Sequence, residues 1–181
     1  MKPRIALTLI LMLIVCGNLM AQDRGPVDQG SVIIGGSAAF TSSKHEDASS
    51  RITYVSFSPS ILYFVANSIA IGATASIEST SAGNQDWSEF SIGPKFAYFA
   101  KTKSESLFPF LGASFTFTGG EDYSSTLIHV GGGLNTFLVS HVAVTGEMFF
   151  ESQHIDPDNE WYESYSISTF GVLFGLSVFI Y

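Results

Sequence analysis

The pattern along the chain is strict alternation. In RITYVSFSPSILYFV the odd positions Val55, Phe57, Pro59, Ile61, Tyr63 and Val65 are apolar or amphipathic, whereas Ser56, Ser58 and Ser60 are small and polar. A period of two puts these sets on opposite faces of a strand. The same alternation predicts about eight strands, near 31–42, 50–65, 69–79, 87–100, 106–118, 124–138, 142–153 and 166–181. One parity carries the bulk: Phe90, Ile92, Phe96 and Tyr98 in the fourth segment, Leu111, Phe115 and Phe117 in the fifth, Phe170, Val172, Phe174 and Leu176 in the eighth. The other parity carries Ser91, Gly93, Lys95 and Ala97, then His129, Gly131, Gly133 and Asn135.

A water-soluble sandwich turns large apolar residues inward and charges outward. Here the face opposite the apolar one has few charges and many glycines. That is the pattern of an all-β, eight-stranded antiparallel transmembrane β-barrel, with the apolar face toward lipid and small or polar groups filling a narrow interior.

The connections support an orientation. TSSKHEDASS, STSAGNQDW, TGGEDYSS and SQHIDPDNEWYES read as long loops, and ANS, KTKSES and VSH as short turns. Bacterial barrels keep short turns in the periplasm, so an even strand number puts both termini there. Tyr63 and Tyr98 fall on the lipid face just before short turns, where an aromatic girdle belongs. Phe64, Phe99 and Phe137 point inward at the same level and are expected to stopper the periplasmic end. Pro59 and Pro94 stand in mid-strand without a ladder donor, which predicts paired bulges or kinks, or else edge strands of an open sheet.

Composition refines this in two ways. The 181 residues, 46% hydrophobic and 13% charged, suit one domain and are too poor in charge for an ordinary soluble surface. MKPRIALTLILMLIVCGNLMAQ has basic Lys2 and Arg4, an apolar run and small residues up to Ala21, the layout of a secretory leader. The expected organisation is a signal peptide over 1–21, a periplasmic tail over 22–30 and the barrel over 31–181. The apolar run is shorter than the roughly 20 residues of a membrane anchor, and Leu13, Ile14 and Val15 before Cys16 lack the small residue of a lipoprotein signal. Cleavage removes the only cysteine and leaves 6 basic against 16 acidic residues, a surface unsuited to nucleic acid.

SFSPSILYFVANSIAIG resembles the strand-turn-strand pattern of the small, porin-like and OmpX-like bacterial outer-membrane β-barrels, GPKFAYF with LFPFLGASFTF resembles their next hairpin, and SVFIY resembles their aromatic terminal signal. The likeness spans nearly all of the mature chain and speaks to architecture far more than to activity. It implies residence in the outer membrane, contact with its lipid and lipopolysaccharide, assembly through the C-terminal strand by the barrel-assembly machinery, and a monomer. One departure stands out: Tyr181 falls on the small-residue parity, whereas the family's signal puts the last aromatic on the apolar face.

For chemistry, His129 faces the interior, followed by Val130 and Gly131 with no serine two residues on, so a hydrogen-bonded interior histidine outweighs a hydrolase triad. Lys95 and Glu147 share the inward parity and predict a cross-lumen ion pair, with Asn135 in the same polar network. Asp156, Asp158 and Glu160 alternate as calcium or magnesium ligands would, with Trp161 and Tyr162 beside them, but the glycine of an EF-hand loop is missing and a solvated acidic loop is the default. No other cofactor is expected. The expected role is non-enzymatic, at the cell surface or in envelope integrity; a small channel for ions or apolar solutes is the alternative, and a lipid-modifying enzyme comes last.

Overall fold

The computed structural model describes residues 25–44, 51–82, 85–104, 106–119, 123–157 and 163–181. Eight strands follow in chain order: β1 (Val32–Lys44), β2 (Arg51–Ala66), β3 (Ile69–Ala82), β4 (Gln85–Phe99), β5 (Leu107–Gly119), β6 (Tyr123–Val139), β7 (Val142–Pro157) and β8 (Tyr165–Ile180). Each pairs antiparallel with the next, and β8 closes on β1 through pairs from Val32↔Ile180 to Ser37↔Gly175. Closure removes the edges that an open sheet would leave, so the edge-strand reading of the two prolines falls. It also settles the last strand's register: Phe179 points inward, fully buried, and Val178 outward.

The outer wall is apolar. Phe57, Ile61, Phe96, Leu111, Phe117 and Val172 are all exposed, and Phe170 and Phe174 reach 69%. Such a continuous apolar belt on a closed barrel is a lipid-facing surface. The packed interior sits instead at one end, called here the base, where β1 begins and β8 ends; the opposite end is the rim.

The strands project past the belt only at the rim. Pairing continues to Lys44↔Arg51, Ala82↔Gln85 and Tyr123↔Pro157, so most of STSAGNQDW and TGGEDYSS is strand, not the loop expected. Beyond the lipid neither face need be apolar, and the alternation fades there. KTKSES, at the base, is the longer connection of that end. The contrast in loop length is therefore weaker than the sequence suggested, and strand projection replaces it.

The prolines do not make bulges. Phe57↔Ile77 and Ser60↔Thr74 keep one register across Pro59, as Ile92↔Phe117 and Lys95↔Ser114 do across Pro94, with the intervening pairs to that neighbour missing. Each proline interrupts one ladder for lack of an N–H, and Thr74 Oγ1 donates to the Pro59 carbonyl at 3.2 Å. Beside Pro94, Gly93 is required: a Cβ there would lie 1.9 Å from the Phe115 carbonyl oxygen, so the two backbones could not approach as they do. The register shifts that do occur lie at Phe64/Ala66 and Phe137/Val139, each next to a two-residue turn.

Candidate functional site: stopper, polar lumen and rim

Inward positions fall into layers because each strand contributes one side chain every second residue. The base layer is aromatic. Phe64 and Phe179 are fully buried and Phe99 nearly so; ring centroids lie 5.3 Å apart for Phe64 and Phe99, 5.7 Å for Phe99 and Phe110, 4.7 Å for Phe137 and Phe179, and 5.6 Å for Phe108 and Phe137. Tyr63 and Tyr98 stand on the outer wall at this level, both exposed. Tyr181, past the end of β8, donates to the Ser140 carbonyl and packs on His141 at 4.7 Å.

The segment 25–31 completes the stopper, although the sequence suggested only a tail. Val27 is buried in the aromatic cluster. Ser68 N–H donates to the Val27 carbonyl (2.8 Å), Gly30 N–H to the Phe64 carbonyl (2.9 Å), and Phe64 N–H to the Ser31 carbonyl (2.9 Å). Lys101 Nζ clasps Asp28 Oδ1 at 2.6 Å. That contact, helped by the Gly25 N–H, holds the Asp28 carboxyl below the usual carboxylate range. A depressed carboxylate stabilises the fold above its unfolded pKa and loses that contribution as pH falls through the folded value. Asp28→Asn is therefore expected to lower stability by about 0.2–1 kcal/mol near neutrality. The gap from wild type should close below the ordinary carboxylate range, checked by denaturant midpoints against pH in detergent.

Above the stopper the lumen is polar. Ser177 Oγ and Thr145 Oγ1 lie 3.1 Å apart, and Thr145 Oγ1 donates to Asn135 Oδ1 at 2.6 Å, tying β8, β7 and β6 together around a buried amide. The next layer holds His129. Its Nδ1 is 2.9 Å from Oε1 of Glu151, its cross-strand partner, and its Nε2 is 2.9 Å from Oε1 of Glu147, which is only 4% exposed. Phe149 stacks on the imidazole at 5.2 Å and 21°. With both glutamates ionised they only accept, and both ring nitrogens then donate, as in an imidazolium. Gly131 makes the clamp possible, since a Cβ there would lie 2.1 Å from Glu147 Oε1.

The expected Lys95–Glu147 pair is thereby corrected. Glu147 is taken by His129, four residues up the neighbouring strand from its own partner Gly133, and Lys95 has no ion-pair partner among the described residues. Lys95 lines, with Glu78, Ser76, Ser114 and Thr116, a cavity of about 150 Å³ over the cluster, roomy and polar enough to hold several waters.

At the rim Asp156 accepts from Ser164 Oγ (2.5 Å) and lies 3.3 Å from His154 Nε2, while His154 Nδ1 is 3.0 Å from Ser166 Oγ. Asp158, Glu160, Trp161 and Tyr162 lie outside the described residues, as does the leader.

No protein-family model and no curated protein sequence matches the chain. Among solved structures it is similar to Neisserial surface protein A (NspA), with a TM-score of 0.55 and 16% identity, the match covering 83% of this chain and 99% of that one. It is likewise similar to the outer membrane protein OprG from Pseudomonas aeruginosa, with a TM-score of 0.50 and 12% identity, covering 86% and 99%. The fold is that of the eight-stranded outer-membrane barrels. Within that outer-membrane barrel fold, three features escaped the sequence reading. Glu151 and Glu78 share the inward parity of Glu147 and Ser76, so alternation alone could have found them. Val27 had no periodic signal, because backbone groups hold its segment.

Proposed function

We propose that the protein is a monomeric outer-membrane barrel whose base faces the periplasm and whose rim faces outward, acting as an anchored surface protein rather than as a conduit. The observation that supports this best is the stopper: Phe64, Phe99, Phe110 and Phe179, with Val27 beneath them, fill the lumen at the base. Side chains just fill the interior of eight strands, and an aromatic layer gives ions no hydrated path. The lumen histidine has no nitrogen free to activate a hydroxyl, so the interior is a structural polar network, not a catalytic one. Strands projecting past the belt at the rim alone, together with the acidic residues Asp156 and Glu163 there, support the outward direction. The surface partners would be lipid, lipopolysaccharide and neighbouring molecules met through the rim, with assembly guided by the C-terminal strand. A small channel is the second reading, favoured by the polar cavity of about 150 Å³ beside Lys95.

Orientation is tested by cysteine labelling, since the mature chain would carry no other thiol. Ser124→Cys at the rim should react with an impermeant maleimide on intact cells. Ser104→Cys at the base should react only once the outer membrane is permeabilised. The reverse pattern, or equal protection of both, would remove the proposal.

A further inference from the structure

We propose that Ser166, His154 and Asp156 form a hydrolytic site for lipid acyl esters on the outer wall of the rim. The chain hydroxyl, imidazole, carboxylate is built by the β7–β8 register. His154 is the cross-strand partner of Ser166, which brings Ser166 Oγ to 3.0 Å from Nδ1. Asp156 lies two residues further along β7, hence on the same face, with Oδ1 3.3 Å from the other ring nitrogen. Ser164 Oγ donates to that same oxygen and holds the carboxylate in place. Protonated on Nε2, His154 leaves the Nδ1 lone pair on the serine hydroxyl, the arrangement of a general base, and Asp156 lies at ion-pair distance from the ring, where its charge stabilises the imidazolium that forms. At His129, by contrast, both nitrogens are hydrogen-bonded to carboxylates, not to a hydroxyl.

Position selects the substrate. His154 and Asp156 are about half exposed and point outward. Along the same face come the pairs Ser152↔Ser168 and then Phe150↔Phe170, the last rings of the apolar belt. Four residues at about 3.3 Å each put the hydroxyl roughly 13 Å along the strands from those rings. An acyl chain lying on the belt presents its ester at headgroup level beside Ser166. There Ser166 Oγ attacks the ester carbonyl as its proton passes to His154. The ester C–O bond breaks and the lipid alcohol leaves with that proton. Water, deprotonated by His154, then attacks the acyl-serine, releasing the fatty acid and restoring the hydroxyl. The lipid substrate rests on the membrane placement proposed above, whereas serine reactivity in detergent does not, so the two fail separately.

The test treats the purified barrel in detergent micelles with a fluorophosphonate probe and maps the label by mass spectrometry. Each variant is first checked for the compact mobility of an unboiled barrel. Wild type and Ser104→Ala, an exposed serine at the base far from the rim, should be labelled on Ser166. Ser166→Ala should not be labelled, and His154→Ala should react at least about 100-fold more slowly. Asp156→Asn, which keeps the carboxylate's shape, should also slow it. Labelling of wild type no faster than of Ser166→Ala would overturn the site. Vesicles then identify the source of the ester. Fatty acid released from phosphatidylethanolamine vesicles assigns a glycerophospholipid, and release only from lipopolysaccharide-bearing vesicles assigns an acylated glycolipid. Release from neither would overturn the lipid substrate.

Discussion

Replacing Phe64 by alanine is expected to destabilise the barrel by about 3–5 kcal/mol, the usual cost of truncating a fully buried aromatic side chain. Phe64 is fully buried and packs on Phe99, which in turn meets Phe110 and, edge-on at 6.4 Å, Phe179. β2, β4, β5 and β8 thus meet in one cluster, and truncating the ring opens a void among them. Its backbone is also the anchor of the base segment, through bonds with Gly30 and Ser31. Phe64→Leu should recover most of the loss, because the alanine defect is one of volume. Urea unfolding in detergent micelles measures both. A Phe64→Ala loss below about 1 kcal/mol would mean that the stopper is loosely packed.

The second large effect is electrostatic. His129→Ala should cost about 3–5 kcal/mol, because it leaves the buried Glu147 carboxylate without its donor and Glu151 without its counter-charge. The neighbouring cation, Lys95, lies in the same cavity but must reorganise to replace a ring held by two 2.9 Å contacts. The double variant His129→Leu with Glu147→Leu should lose less than the histidine alone, since it removes the deeply buried unpaired charge and leaves only the more exposed Glu151 without a partner. A double-mutant cycle isolates the coupling. Additive losses would show that the two residues do not act as a pair.

Much of the barrel was legible because lipid imposes a period of two. Phe57, Phe96, Phe117 and Val172 lie outward, and Phe64, Phe99 and Phe137 inward, as alternation required. Alternation says nothing about which inward residues meet. Lys95 and Glu147 share a parity, yet the Glu147 side chain runs toward the rim over Gly131 and finds His129, a reach set by side-chain length and by a missing Cβ. Pro59 and Pro94 announced a broken ladder but not its form, which depends on how closely Gly93 lets the next strand approach. Ser166 and His154 are twelve residues apart and meet only through the β7–β8 register, beyond the belt where the alternation has already faded. Val27 is tied by carbonyls and N–H groups, which carry no sequence signal at all.

The reading of this chain as a stoppered surface barrel is tested most directly by single-channel recording of the purified, folded protein in planar bilayers. The stopper predicts a silent membrane across the voltages used for porins, with insertion verified by protease protection of the reconstituted barrel. Reproducible unitary current steps from the wild-type protein would contradict it, because they would require a continuous hydrated path past Phe64, Phe99 and Phe179.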